Sequence, residues 1–111
     1  MAQKTELGTV QIRNEVIGNI ASLAAQEVEG VYGIWKGLFP FLSWLGFSSI
    51  RCQMRDQEVR LWLPLIVEYG VSIPLIASQV QDRVREVVER MTSLAVTEVY
   101  VKVHHVQSKR R

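Results

Sequence analysis

The chain has 111 residues, 48% of them hydrophobic and 22% charged, with a net charge of +2. That length supports one domain with its own core, and the hydrophobic share excludes wholesale disorder. The small charge does not mark a nucleic-acid partner, and the single cysteine, Cys52, cannot close an internal disulfide, which fits a reducing, cytoplasmic compartment.

The start, "MAQKTELGTV", carries no apolar secretory core, and no window reaches the roughly 18 apolar residues that span a bilayer. The expectation is a soluble chain, or one held at a surface by something other than a transmembrane helix. Residues 1–7 are expected to be a flexible N-terminus, and "TVQI" at 9–12 a short, weak strand. Asn14 offers an N-cap, with Glu15 in the first turn. Val16, Ile17, Ile20, Ala21, Leu23, Ala24 and Val28 follow at helical spacing, and Gly30 closes the helix. Gly18, inside it, is either a point of close backbone approach or simply tolerated.

"GIWKGLFPFLSWLGF", residues 33–47, holds every phenylalanine of the chain, two of its three tryptophans and one charge, Lys36. Its glycines and proline leave room for a helical turn or two, and it is too apolar for an ordinary connection. Ile50, Cys52 and Met54 then alternate with Arg51, Gln53 and Arg55, which predicts a half-buried strand. Asp56 and Gln57 make a tight turn. Val59, Leu61, Leu63, Leu65 and Val67 alternate with Arg60, Trp62, Pro64, Ile66 and Glu68, completing a hairpin. Pro64 lacks an amide donor, which predicts an edge or a bulge there. Gly70, Ser72 and Pro74 turn the chain into a second helix. Ile76, Val80, Val84, Val87, Val88 and Met91 form its apolar stripe, with Arg85–Glu89 and Glu86–Arg90 as ion pairs on the solvated face. "MTSL" ends the helix. Val96, Val99, Val101 and Val103 mark a last strand running through His104 and His105, and 107–111 form a basic tail.

The predicted order is β-α-β-β-α-β: a single α+β domain over residues 8–106, with an antiparallel-rich sheet and two helices packed on one face.

Several segments carry a resemblance. "GTVQIRNEVIGNIASLAAQEVEGVYGI" and "VRLWLPLIVEYGVSIPLIASQVQDRVREVVERMTSLAVTEVYVKVHHV" resemble the two halves of the alkaline shock protein family, also called envelope stress response proteins. Val-Glu-Tyr-Gly-Val-Ser-Ile-Pro at 67–74 is the most specific part; Gly30-Val31 and Met91-Thr92 with Leu94 support it. The likeness covers residues 8–106 and departs from the family at the aromatic insert, 33–47. It implies a small cytoplasmic bacterial protein without known catalytic activity, responding to alkaline or envelope stress. Such proteins collect beneath the membrane, held by an integral-membrane partner, and self-associate.

The residues themselves offer no catalytic constellation, and no enzyme, cofactor or metal site is expected. His104 and His105 are adjacent on a strand and would point to opposite faces. Cys52 lies on the aliphatic side of its strand and reads as a packed thiol. Neither a P-loop nor a dinucleotide glycine pattern is present in the sequence. Glu68 and Tyr69 point apart. Two surfaces are candidates for contact. Trp35, Leu38, Phe39, Phe41, Leu42, Trp44 and Leu45 are expected to meet an integral-membrane partner or the membrane surface, with a loop folded into the core or a disordered loop as the other readings. Trp62, Ile66 and Tyr100 are expected to mediate self-association into a homo-oligomer. The function expected is that of a noncatalytic scaffold at the inner face of the cell membrane. A small ligand-binding regulatory domain, or an RNA-binding α+β domain using Trp62 and Tyr100 with Arg51, Arg55, Arg60 and Lys102, is the alternative. DNA is not an expected partner.

Overall fold

The computed structural model describes residues 2–37 and 50–108, and side chains from Lys4 onward. The elements in chain order are β1 (Ala2–Thr5), β2 (Gly8–Gln11), α1 (Asn14–Gln26), β3 (Val31–Ile34), β4 (Arg51–Arg55), β5 (Glu58–Glu68), α2 (Ile73–Thr92) and β6 (Ala95–Gln107). The fold is α+β, and it adds two strands to the expected order. β1 lies within the segment read as a flexible lead, and it pairs with β2 in a hairpin apart from the main sheet. β3 follows the turn after α1.

The main sheet is organised by β5. β6 runs parallel to it along its whole length, from Glu58↔Ala95 to Glu68↔Gln107. The opposite edge of β5 is shared end to end by two antiparallel strands: β4 covers Glu58 to Trp62, and β3 covers Leu65 to Val67. Pro64 is therefore not at an edge of the sheet but in its central strand. Its carbonyl accepts the Trp35 amide at 2.9 Å, so its proton-less nitrogen points to the same side. That side is where β4 stops and β3 ends, so the missing donor costs only the return bond to Trp35, just past the last residue of β3.

Local chemistry accounts for the turns. Asp56 and Gln57 both take positive φ (52° and 68°), the geometry a two-residue hairpin turn demands. Gly30, at φ +101°, turns the chain from α1 into β3. A Cβ there would lie 2.6 Å from Ile76 Cδ1. Ser93, at φ 60°, ends α2 and donates its amide to the Glu89 carbonyl.

Both helices pack on one face of the sheet. Val59, Leu61, Leu63, Leu65 and Val67 of β5 meet Ile17, Ala21, Ala24 and Ala25 of α1 and Ile76, Val80, Val84 and Val88 of α2. Each large side chain so buried contributes roughly 1.5–3 kcal/mol. Cys52 and Met54 of β4 and the neighbouring Ile50 pack against this core. Burial pushes the Cys52 thiol above its ordinary pKa, consistent with a packed rather than reactive group.

Three expected details differ. Val16 and Leu23 lie outside the buried stripe of α1, and Met91 outside that of α2. Asn14 is the first helical residue rather than the cap, and its Nδ2 reaches the Cys52 carbonyl at 3.4 Å. The ion pairs on α2 involve Arg83, which holds Glu86 on the same helix and Glu27 beyond the end of α1. Glu89 instead accepts the Val96 amide at 2.8 Å.

Candidate interaction surface

The face of the sheet away from the helices is built by the alternate residues of each strand. On β5 these are Glu58, Arg60, Trp62, Pro64, Ile66 and Glu68. Cross-strand register sets Arg51 and Tyr100 beside Trp62, Glu98 beside Arg60, and Lys102 beside Pro64. Trp62 and Tyr100 stack with ring centroids 5.2 Å apart and planes inclined by 15°. The Arg51 guanidinium lies 5.7 Å from the centre of the Trp62 ring, within cation–π range. Arg60 Nε is 3.3 Å from Glu98 Oε1, and the Tyr100 hydroxyl donates to Glu98 Oε2. That hydrogen bond holds the Tyr100 phenol above its ordinary pKa, with burial and the Glu98 charge adding to the shift and Arg60 opposing it.

A second stack lies further along. Trp35 and His104 are parallel, 4.1 Å apart with planes inclined by 1°. They come from opposite sides of β5, so they meet only by reaching across it. Pro64, between their strands, is buried. The sheet's irregularity makes the His104 contact possible. Between Leu65↔Val103 and Ile66↔His105 the β5–β6 register slips by one residue, leaving His104 as the extra member of a bulge. The expected division of His104 and His105 between opposite faces is thereby overturned: the bulge interrupts the alternation, and both sit on the outer face. Among the described residues no group of three or more His, Cys, Asp or Glu side chains could hold a metal ion.

The three residues expected to mediate self-association, Trp62, Ile66 and Tyr100, thus share one face. Trp62 and Ile66 are half-buried and Tyr100 is 44% exposed. Of the residues expected to meet a partner or membrane, Trp35 joins the same face. Leu38, Phe39, Phe41, Leu42, Trp44 and Leu45 lie outside the described residues. Sequence reasoning missed the Trp35–His104 stack, yet a signal exists: the inward valines of β6 are spaced by two from Val99 to Val103 and by three from Val103 to Val106. A second slip, at Thr97, has the same mark, Val96 to Val99.

At the turn end of this face, Gln53, Arg55, Glu58 and Arg60 line a shallow hollow of about 80 Å³. That is well below the roughly 300–1,000 Å³ of a small-molecule site. The arrangement offers flat aromatic area with an arginine and a lysine at its margins. Among the described residues no helix is long and apolar enough to cross a membrane.

Comparison with known proteins places this chain. Forms of the MamM C-terminal domain share the fold: a copper form aligns with TM-score 0.55 and 16% identity over 84% of this chain and 98% of that one. A nickel form aligns with TM-score 0.53 and 18% identity over 82% and 96%. Protein YqhY of Bacillus subtilis (strain 168) is 32% identical over 95% of this chain and 82% of its own length. Protein YloU of the same organism is 31% identical over 94% and 92%. A stress response regulator gls24 homolog of Streptococcus pyogenes is 32% identical over 92% of this chain, which spans 60% of that protein's length. The model of the alkaline shock protein 23 family, described as having a cell envelope-related function, matches residues 2–108, and the chain belongs to that family.

Proposed function

We propose that this chain is a noncatalytic scaffold of the envelope stress response, acting at the cytoplasmic side of the cell envelope. Its outer sheet face, together with the segment 33–47, receives an integral-membrane partner or the membrane surface. The observation that carries this reading is the outer face itself. It bears two stacked aromatic pairs, Trp62–Tyr100 and Trp35–His104, on the side of the sheet opposite both helices. Flat, half-exposed aromatic area rimmed by charge is the composition of a protein contact rather than of a reaction site. The family description, a cell envelope-related function, and the name of the gls24 relative, a stress response regulator, support the setting. Self-association draws on Trp62, Ile66 and Tyr100. Trp35, Leu38, Phe39, Phe41, Leu42, Trp44 and Leu45 supply the partner or membrane contact.

The experiment is a paired substitution, Phe41→Ser with Trp44→Ser, read by thermal melting and by co-sedimentation with membranes. The scaffold reading expects an unchanged melting temperature and lost co-sedimentation. A fall of many degrees would make the segment core and sink the contact assignment. Single-stranded RNA titrated against the wild type should produce no quenching of tryptophan fluorescence. Saturable quenching, abolished by Trp62→Ser, would favour the RNA-binding reading instead.

A further inference from the structure

β6, a strand of 13 residues, has one strand partner among the described residues, β5, so its other edge carries no strand there. Backbone polarity on that edge follows from the hydrogen bonds. Ala95 and Gln107 face β5, donating to the Gln57 carbonyl and accepting from the Tyr69 amide. Val96 and Val99 face away: the Val96 amide donates to Glu89, and the Val99 carbonyl accepts Gln81 Nε2 at 3.1 Å. The alternation then puts the amides and carbonyls of Val99, Val101 and Val103 on the open edge. Between the bulges at Thr97 and His104 the strand is regular from Glu98 to Val103. An edge this long, rich in β-branched residues and ended by a bulge on each side, is a template for another strand.

The side chains say which strand. Glu98, Tyr100 and Lys102 occupy successive outward positions, with the tyrosine midway between opposite charges. An antiparallel copy of the same sequence, related by a two-fold axis through Tyr100, sets Glu98 of each chain opposite Lys102 of the other. It also sets Val99 opposite Val101 on the inner side. Sliding the pairing by two residues either way loses both ion pairs. Sliding it by four sets Glu98 against Glu98 or Lys102 against Lys102, where like charges repel. A shift of one would oppose inward valines to outward charges. Self-complementarity about one point is the signature of an isologous contact. The Gln81 bond does not obstruct it, because the Val99 carbonyl has a second lone pair. Glu89 acts on Val96, beyond the regular run.

We infer that β6 joins β6 of a second copy of this chain, antiparallel, with Tyr100 on the two-fold axis. The two sheets become one, the helices of both copies lie on the same side, and the outer aromatic strips run on into each other. This inference adds a β6 edge contact, centred on Tyr100, to the self-association of the scaffold reading, and it does not depend on what the outer face binds.

Crosslinking tests the register. In a Cys52→Ser background, Tyr100→Cys places two thiols at a non-hydrogen-bonded pair, where Cα atoms stand about 4.5 Å apart, within disulfide reach. Mild oxidation should convert most of that variant to covalent dimer, and Lys102→Cys in the same background should remain largely monomeric. Charge reversal tests the pairing without new thiols. Lys102→Glu and Glu98→Lys should each weaken dimerisation by about tenfold in sedimentation, and an equimolar mixture of the two should restore it as a heterodimer. A monomeric wild type, equal crosslinking of both cysteine variants, or no recovery on mixing would overturn the edge pairing. A dimer that persists in all variants without crosslinking would move self-association to the outer face. The scaffold reading would then stand while this inference failed.

Discussion

β5 presents two faces with opposite logic. Inward, Val59, Leu61, Leu63, Leu65 and Val67 have no more than 1% of their surface left to water, because both helices lie over them. Outward, Trp62 and Ile66 stay half-exposed, and the aromatic rings meet only in pairs. The inner face is saturated within the chain: each methyl group touches others of the same domain. Among the described residues the outer face is organised but less filled: Arg51 and Tyr100 flank Trp62, and Tyr100 keeps 44% of its surface exposed. What holds the fold and what meets other molecules are thus divided across a single strand, one residue apart.

That division can be broken most forcefully from the inner side. Leu63→Ala should lower stability by about 2–5 kcal/mol in urea denaturation, through a cavity among β5, α1 and α2. Trp62→Ser, next to it but on the other face, should cost less than half as much while shifting the sedimenting mass toward monomer. If the two variants cost the same, the outer face is as structural as the inner one.

Glycines sharpen the point at the helix–sheet contact. Gly30→Ala should cost about 1–3 kcal/mol, since φ is +101° and the new methyl would press on Ile76. Gly18→Ala should do the reverse. Among the described residues a Cβ there would meet only Ile50 Cγ2, at 3.9 Å, so the helix gains about 0.5–1 kcal/mol from alanine's propensity. Thermal melting of both variants checks the signs.

The smallest effect is electrostatic and belongs to the outer face. Tyr100 should ionise above the ordinary phenol value of about 10, because its proton is held by Glu98. The sign follows from linkage: a raised native pKa stabilises the protonated form. The contribution is full below the ordinary value and fades as pH rises through the raised one. A difference absorbance titration against Tyr100→Phe should locate it, and Glu98→Gln should bring it down.

Much of this was legible from the chain. Strict alternation in β5 announced both faces, and the valine stripe of α2, with Ser72 and Pro74 before it, announced the second helix. The gathering of Trp62, Ile66 and Tyr100 followed from counting by twos. What was hidden depends on partners distant in sequence. "VYGI" forms β3 only because β5 leaves that stretch of edge unpaired, and its register is irregular between Val31 and Gly33. Leu23 fits a helical stripe as well as Ile20 does, and only the position of the sheet decides which is covered. Arg83 had near neighbours of opposite charge on its own helix, yet its shortest contacts include Glu27, 56 residues away. The slips in β6 were written as valine spacings of three, a mark with meaning only once the strand is known to be long.

The end-to-end arrangement of β3 and β4 has an evolutionary consequence. The chain leaves the sheet at Trp35, bonded to Pro64, and returns at Arg51, opposite Trp62. Those anchors are two residues apart on β5, about 7 Å. The span between exit and return is therefore fixed by β5 and not by the length or composition of what lies between. Because doubling such an excursion costs only about 0.6 kcal/mol, the frame works as a socket. One aromatic cartridge can be exchanged for another, and what the molecule recognises can change while the way it folds does not.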